Sequence, residues 1–144
     1  MRNEQAAPET KGVTVKLLAA LDLGPEIEGM VGRQLRMRIV TIEPGGVFGP
    51  IHDHKDRPGM VYILQGAITD HRNGVDKEYG PGVGWPEDKN TSHWLENRGT
   101  TPAVEISVDI VRVRWGRTPS LEGRKGRSNK GDKQDRKAPK LPMP

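Results

Sequence analysis

Between residues 44 and 82 the chain meets a reversal signal at least about every dozen residues. Pro44-Gly45-Gly46, Pro58-Gly59, Gly66, Asn73-Gly74 and Gly80-Pro81-Gly82 follow one another. Proline removes a backbone donor and glycine costs the most entropy to order, so a long helix has no room here. What lies between the signals alternates instead. Leu35-Arg36-Met37-Arg38-Ile39 and the seven residues from Val104 to Ile110 switch between apolar and polar at every step, the period of a half-buried strand. Met60-Val61-Tyr62-Ile63-Leu64 is a short apolar run suited to a strand covered on both faces. The Asn73-Gly74 pair predicts a tight hairpin between 67–71 and 77–79. The reading is an all-β barrel or jelly roll in one domain over residues 12–115.

Composition narrows the rest. Of the 144 residues only 33% are hydrophobic and 4% aromatic, so the core is small and mostly aliphatic. The absence of cysteine excludes disulfide scaffolds, zinc fingers and thiol nucleophiles. No apolar run is long enough to span a membrane as a helix. The net charge of +4 is unevenly placed: residues 117–144 carry nine basic and three acidic side chains, and the rest of the chain is slightly acidic. Residues 116–144 hold too few apolar side chains to offset ordering, so a disordered basic tail is expected there. A solubilising role for it is favoured over binding nucleic acid, because no aromatics interleave the charges. Residues 1–11 read as a flexible, polar segment with no apolar signal stretch, which places the protein in the cytoplasm as an expectation.

The histidines carry the chemistry. His52 and His54 flank Asp53, a spacing that turns both imidazoles to one face of a strand. Two neutral imidazoles side by side make half of a transition-metal site. A lone His-x-His more often marks a polar surface strand. Here it lies between Gly45-Gly46 and the apolar run ending at Gly66, and His93 follows downstream. His71, beside Arg72 and Asn73 at the hairpin, is expected to be solvated. Arg36 and Arg38 are expected on the surface, since charged side chains are seldom buried. Trp94, opposite in parity to His93, is expected outside the barrel.

These residues resemble the cupin superfamily. In GGVFGPIHDHKDRPGMVYILQG, five residues separate Gly46 from His52, His54 follows, and Gly66 closes the first motif. In GVGWPEDKNTSHWLEN, Gly82, His93 and Asn97 fall where the second motif has its Gly, His and Asn. Asp88 and Asn90 replace that motif's Pro and Gly, and Asn90 is expected to make the turn with a positive φ. The family's Glu, separated from the second histidine by four residues, is replaced by Gly59. The resemblance implies a double-stranded β-helix with one divalent transition metal (Fe, Zn, Mn, Ni or Cu) on His52, His54 and His93, without a carboxylate. Such sites are similar to those of cupin dioxygenases, oxidoreductases that use Fe(II) and O₂. It therefore implies a metal-dependent enzyme, a dioxygenase or a non-oxidative lyase or isomerase, acting on a small oxygenated or anionic substrate at the metal centre itself. The alternative is a non-catalytic small-molecule or metal-binding module. Val61, Ile63, Trp85 and Asn97 are the candidate pocket residues, and a homodimer is expected.

Overall fold

The computed structural model describes residues 8–113. The basic tail at 116–144 lies outside the described residues, as does the expected flexible start except for 8–11. Within that short overlap the chain is tied down. Thr10 and Gly49 exchange hydrogen bonds, and Lys11 already opens the first strand.

Eight strands make up the described residues: β1 (Lys11–Asp22), β2 (Arg33–Asp53), β3 (Gly59–Gln65), β4 (Ile68–Arg72), β5 (Val75–Tyr79), β6 (Gly84–Glu87), β7 (Ser92–Glu96) and β8 (Ala103–Arg112). All pairings are antiparallel, in the order β5-β4-β7-β2-β8-β3-β6, with β1 added on β2. The predicted hairpin forms as expected. Asn73 and Gly74, both with positive φ, join β4 to β5.

The turn expected at residues 43–46 is instead a corner within one 21-residue strand. The first half of β2 pairs with β8 from Arg33 opposite Arg112 to Ile42 opposite Ala103. Its second half pairs with β7, ending with His52 opposite His93 and Asp53 opposite Ser92. One strand thus serves both halves of a curled sheet, and Gly45, at φ +81°, lets it change direction. Asn97 locks that corner. Its amide donates to the carbonyls of Ile42 (2.8 Å) and Thr101 (2.9 Å), and its carbonyl accepts from the Gly99 N–H. Backbone bonds from Gly45 to Asn97 and from Asn97 to Gly46 complete the clamp.

Inside the barrel the side chains form two levels. Val40, Ile42, Val61, Ile63, Ile68, Trp85, Leu95 and Ala103 make an apolar cluster at one level. Each of these larger side chains contributes roughly 1.5–3 kcal/mol through burial. Stepping two residues along the same strands reverses the chemistry. Arg38 precedes Val40, Glu87 follows Trp85, His93 precedes Leu95, and Glu105 follows Ala103. All four point inward at the second level, where the candidate site lies.

The alternation of β2 and β8 was read correctly, but its faces are inverted. Glu105, Ser107 and Asp109 are buried, whereas Met37 is 41% exposed on the outer face. The outer face stays apolar across β3 as well, where Met60, Tyr62 and Leu64 are exposed. Arg36 and Arg38 therefore point into the barrel, contrary to expectation, because the buried Asp109 carboxylate offers them a partner there.

The corner clamp has a measurable worth. Asn97→Ala leaves the buried Ile42 carbonyl and the part-buried Thr101 carbonyl without this donor, at about 1–3 kcal/mol for a fully buried group. A stability loss of about 2–4 kcal/mol in urea unfolding is expected; an unchanged midpoint would show that the clamp is dispensable.

Candidate metal and anion site

His52 and His54 leave the C-terminal end of β2, and β7 brings His93 directly opposite His52. The ring centroids lie 4.8 Å apart for His52 and His93, and 5.3 Å apart for each of the other two pairs. One ring nitrogen from each histidine lies within 4.8 Å of the others, an arrangement that can hold a metal ion.

Each ring is held differently. His93 is fully buried and its Nδ1 lies 2.7 Å from Asp70 Oδ1, whose other oxygen is paired with Arg72 at 2.8 Å. An ionised carboxylate can only accept, so Nδ1 carries the proton and Nε2 presents a bare lone pair. His52 Nδ1 lies 3.3 Å from the Pro50 carbonyl, which likewise leaves Nε2 free. His54 Nε2 lies 3.3 Å from His93 Nε2, while its buried Nδ1 has no partner. Burial holds His52 down at about 4, reinforced by His93. Burial also holds His54 at about 4, reinforced by the charge of Arg57 and by His93. Neutral rings are the form that ligates a metal.

A carboxylate that the sequence reading did not include stands beside them. Glu87, 5% exposed at the end of β6, places Oε1 3.3 Å from His54 Nε2 and Oε2 3.4 Å from His93 Nε2. Trp85 Nε1 donates to the same Oε2 at 3.0 Å. Glu87 is the register partner of Gly59, the position where the family motif has its Glu. Gly59 has no room for a side chain, since a Cβ there would stand 2.5 Å from the Val108 carbonyl. The three histidines form the candidate metal group as expected, and a carboxylate reaches two of them from one strand over.

His52 and His54 border a cavity of about 250 Å³, with His93 buried behind them. Arg36, Arg38 and Arg57 line it together with Glu87, Glu105 and Ser107, and Phe48, Pro50 and Leu95 give it an apolar edge. Asp109 anchors the arginines. Arg36 grips it through two bonds of 2.9 and 2.8 Å, Arg57 adds one of 3.0 Å, and Arg38 approaches to 3.5 Å. Burial alone would raise the Asp109 carboxyl, but Arg36 in particular outweighs it and holds the group below its usual range. Glu105 accepts no bond from an arginine, and the charge of Arg38 opposes its burial without offsetting it. Burial, aided by the charge of Glu87, pushes it up to about 8.

The remaining sequence candidates lie elsewhere. Val61, Ile63 and Trp85 belong to the apolar cluster beneath the cavity rather than to its lining, and Asn97 is the corner clamp. His71 is not freely solvated: its two nitrogens lie 2.7 Å from Asp76 and 2.8 Å from Glu96, and Trp94 stacks on it at 3.7 Å. Asn90 does not take a positive φ. Asp88 closes that turn by accepting from the Asn90 N–H and the Thr91 hydroxyl.

The family model described as "Cupin domain" matches residues 38–109, half of the chain, and the chain belongs to that family. No curated protein matches the sequence. Among solved structures, the chain is similar to the Cupin_2 domain of an XRE family transcriptional regulator from Enterobacter cloacae. That match has 15% identity and a TM-score of 0.53, covering 72% of this chain and 100% of the other. It is also similar to KdgF from Halomonas sp., at 20% identity and a TM-score of 0.53, covering 68% and 80%. A third is a sugar phosphate isomerase of the cupin superfamily from Silicibacter pomeroyi, at 17% identity and a TM-score of 0.50, covering 71% and 74%. At these identities the likeness concerns the fold.

The opposed shifts give the metal-free protein a particular pH profile. From about 4 to 6.5 the unfolded chain binds protons that folded His52 and His54 refuse, so they make stability rise with pH. From 4.5 to about 8 folded Glu105 keeps a proton that the unfolded chain has lost, so it makes stability fall. A maximum near neutrality is expected in urea titrations with chelator, and Glu105→Gln should flatten the alkaline limb. A limb unchanged in that variant would assign the loss to another group.

Proposed function

We propose that the protein is a metal-dependent cupin enzyme acting on a small, anionic, oxygen-bearing organic molecule. The observation that carries this reading is the meeting of two kinds of lining in one cavity: His52 and His54, which converge with the buried His93, share it with three arginines. The donor set fits a divalent transition metal, with His52, His54 and His93 as nitrogen ligands. Glu87 is the oxygen ligand within reach. Three neutral imidazoles would leave the ion's charge at +2; the Glu87 carboxylate lowers the net to +1. The metal, when bound, supplies a Lewis acid that polarises or activates a substrate oxygen or O₂.

The chain's own residues do the rest. Asp70 fixes the His93 tautomer and ring plane, and the Trp85 N–H orients the Glu87 carboxylate. The arginines attract and align an anion, with Asp109 holding Arg36 and Arg57 in place. Phe48 and Leu95 exclude water along one edge. Oxygen uptake with a panel of small organic acids separates dioxygenase chemistry from a lyase or isomerase reaction. Tight ligand binding without turnover would favour the non-catalytic module instead.

Elemental analysis of the purified protein should find about one transition metal per chain. Each of His52→Ala, His54→Ala and His93→Ala should weaken metal binding at least about tenfold, and Glu87→Gln about 10–100-fold. His71→Ala should leave it unchanged. Equal damage from His71→Ala, or full retention in Glu87→Gln, would overturn this ligand set.

A further inference from the structure

The cavity holds two buried polar atoms with nothing to bond. Arg38 Nε and Glu105 Oε1 both lack a partner within the protein. Both residues line the cavity, and Glu105 is only 2% exposed. They come from neighbouring strands on the same inward face: Arg38 is the register partner of Ser107, and Glu105 that of Val40. No ion pair joins them among the described residues, although the charge of Arg38 acts on Glu105.

The other two arginines are occupied. Arg36 spends its Nε and one terminal nitrogen on Asp109, and Arg57 divides its terminal nitrogens between Asp109 and the Asp53 carbonyl. Arg38 makes only the 3.5 Å approach to Asp109. An unpaired buried donor or acceptor costs about 1–3 kcal/mol, so two at one place call for an occupant. The occupant must satisfy a cation and, on the neighbouring strand, a buried carboxyl group whose Oε1 is unpaired.

We infer that Arg38 and Glu105 form the substrate subsite for a small 2-hydroxycarboxylic acid, with its carboxylate on Arg38 and the neighbouring hydroxyl on Glu105. The assignment rests on the proposed function and names its substrate class. A carboxylate accepts from the guanidinium Nε with charge assistance. A hydroxyl both donates and accepts, so it meets Glu105 whichever oxygen carries a proton. A 2-oxo acid offers only an acceptor there, and a simple acid offers nothing. The apolar edge of Phe48 and Leu95 leaves space for a short hydrocarbon remainder.

Calorimetric titration of the full chain with L-lactate, pyruvate and propionate tests this, in metal-loaded and chelator-treated protein. Lactate should bind about tenfold or more tightly than propionate, the worth of one buried hydrogen bond to a group otherwise left unpaired, with pyruvate between them. Arg38→Met should weaken all three acids at least about tenfold. Glu105→Leu should abolish the preference for lactate, and Glu105→Gln, which keeps a donor and an acceptor, should retain it. Metal content should be unchanged in all three variants. Lactate and propionate binding alike to the wild-type chain, or undiminished lactate binding by folded Arg38→Met, would overturn the subsite; in those cases the two atoms hold water only. If Glu105→Leu does not fold, the wild-type comparison and Arg38→Met still decide. A chain that prefers lactate but binds no metal keeps the subsite and loses the metal reading. A chain that binds metal at the histidines but shows no preference does the reverse.

Discussion

The interior of this barrel depends on one buried carboxylate. Asp109 is 2% exposed and would be costly to ionise alone, yet three guanidiniums converge on it. The dependence is mutual. Asp109 gives Arg36 and Arg38 a partner on the inward face of β2. The cluster, together with Val40, Ile42 and Ala103 at the same parity, fixes which face of β2 and β8 is interior. In doing so it sets the polar wall that the histidines face across the cavity.

The same choice divides the barrel into two levels. Apolar side chains from β2, β3, β6, β7 and β8 close one level, and the next inward position on those strands is ionisable or, on β3, the side-chain-free Gly59. Packing of the lower level makes the geometry of the upper one rigid. Trp85 shows the coupling directly, since its ring belongs to the apolar cluster while its N–H holds Glu87 against His54 and His93. The site is therefore built on strands whose positions the core determines, which favours preorganised chemistry.

Much of this was legible in the residues. Period-two alternation located β2 and β8, a short apolar run located β3, Asn73-Gly74 located the β4–β5 hairpin, and motif spacing brought His52, His54 and His93 together. Alternation does not tell which face is inward, and hydrophobicity chose wrongly because a buried ion-pair cluster outweighed it at Arg36, Arg38 and Asp109. Glu87 escaped notice for a different reason. The family motif places its carboxylate along the sequence from His54, whereas Glu87 is reached across strands from Gly59. Cross-strand proximity leaves no mark in the local sequence beyond the inward parity shared by Trp85 and Glu87. Asn97 followed the motif but serves the fold, tying the β2 corner to the end of β7.

The central claim is that His52, His54, His93 and Glu87 together hold one metal ion at the edge of an arginine-lined cavity. Crystals of the protein loaded with a single divalent transition metal, measured at that metal's absorption edge, test it most directly. The account expects one strong anomalous peak per chain, bonded to a ring nitrogen of each histidine and to a Glu87 oxygen. A peak among His71, Asp76 and Glu96, or a peak on the three histidines with Glu87 turned away, would contradict it.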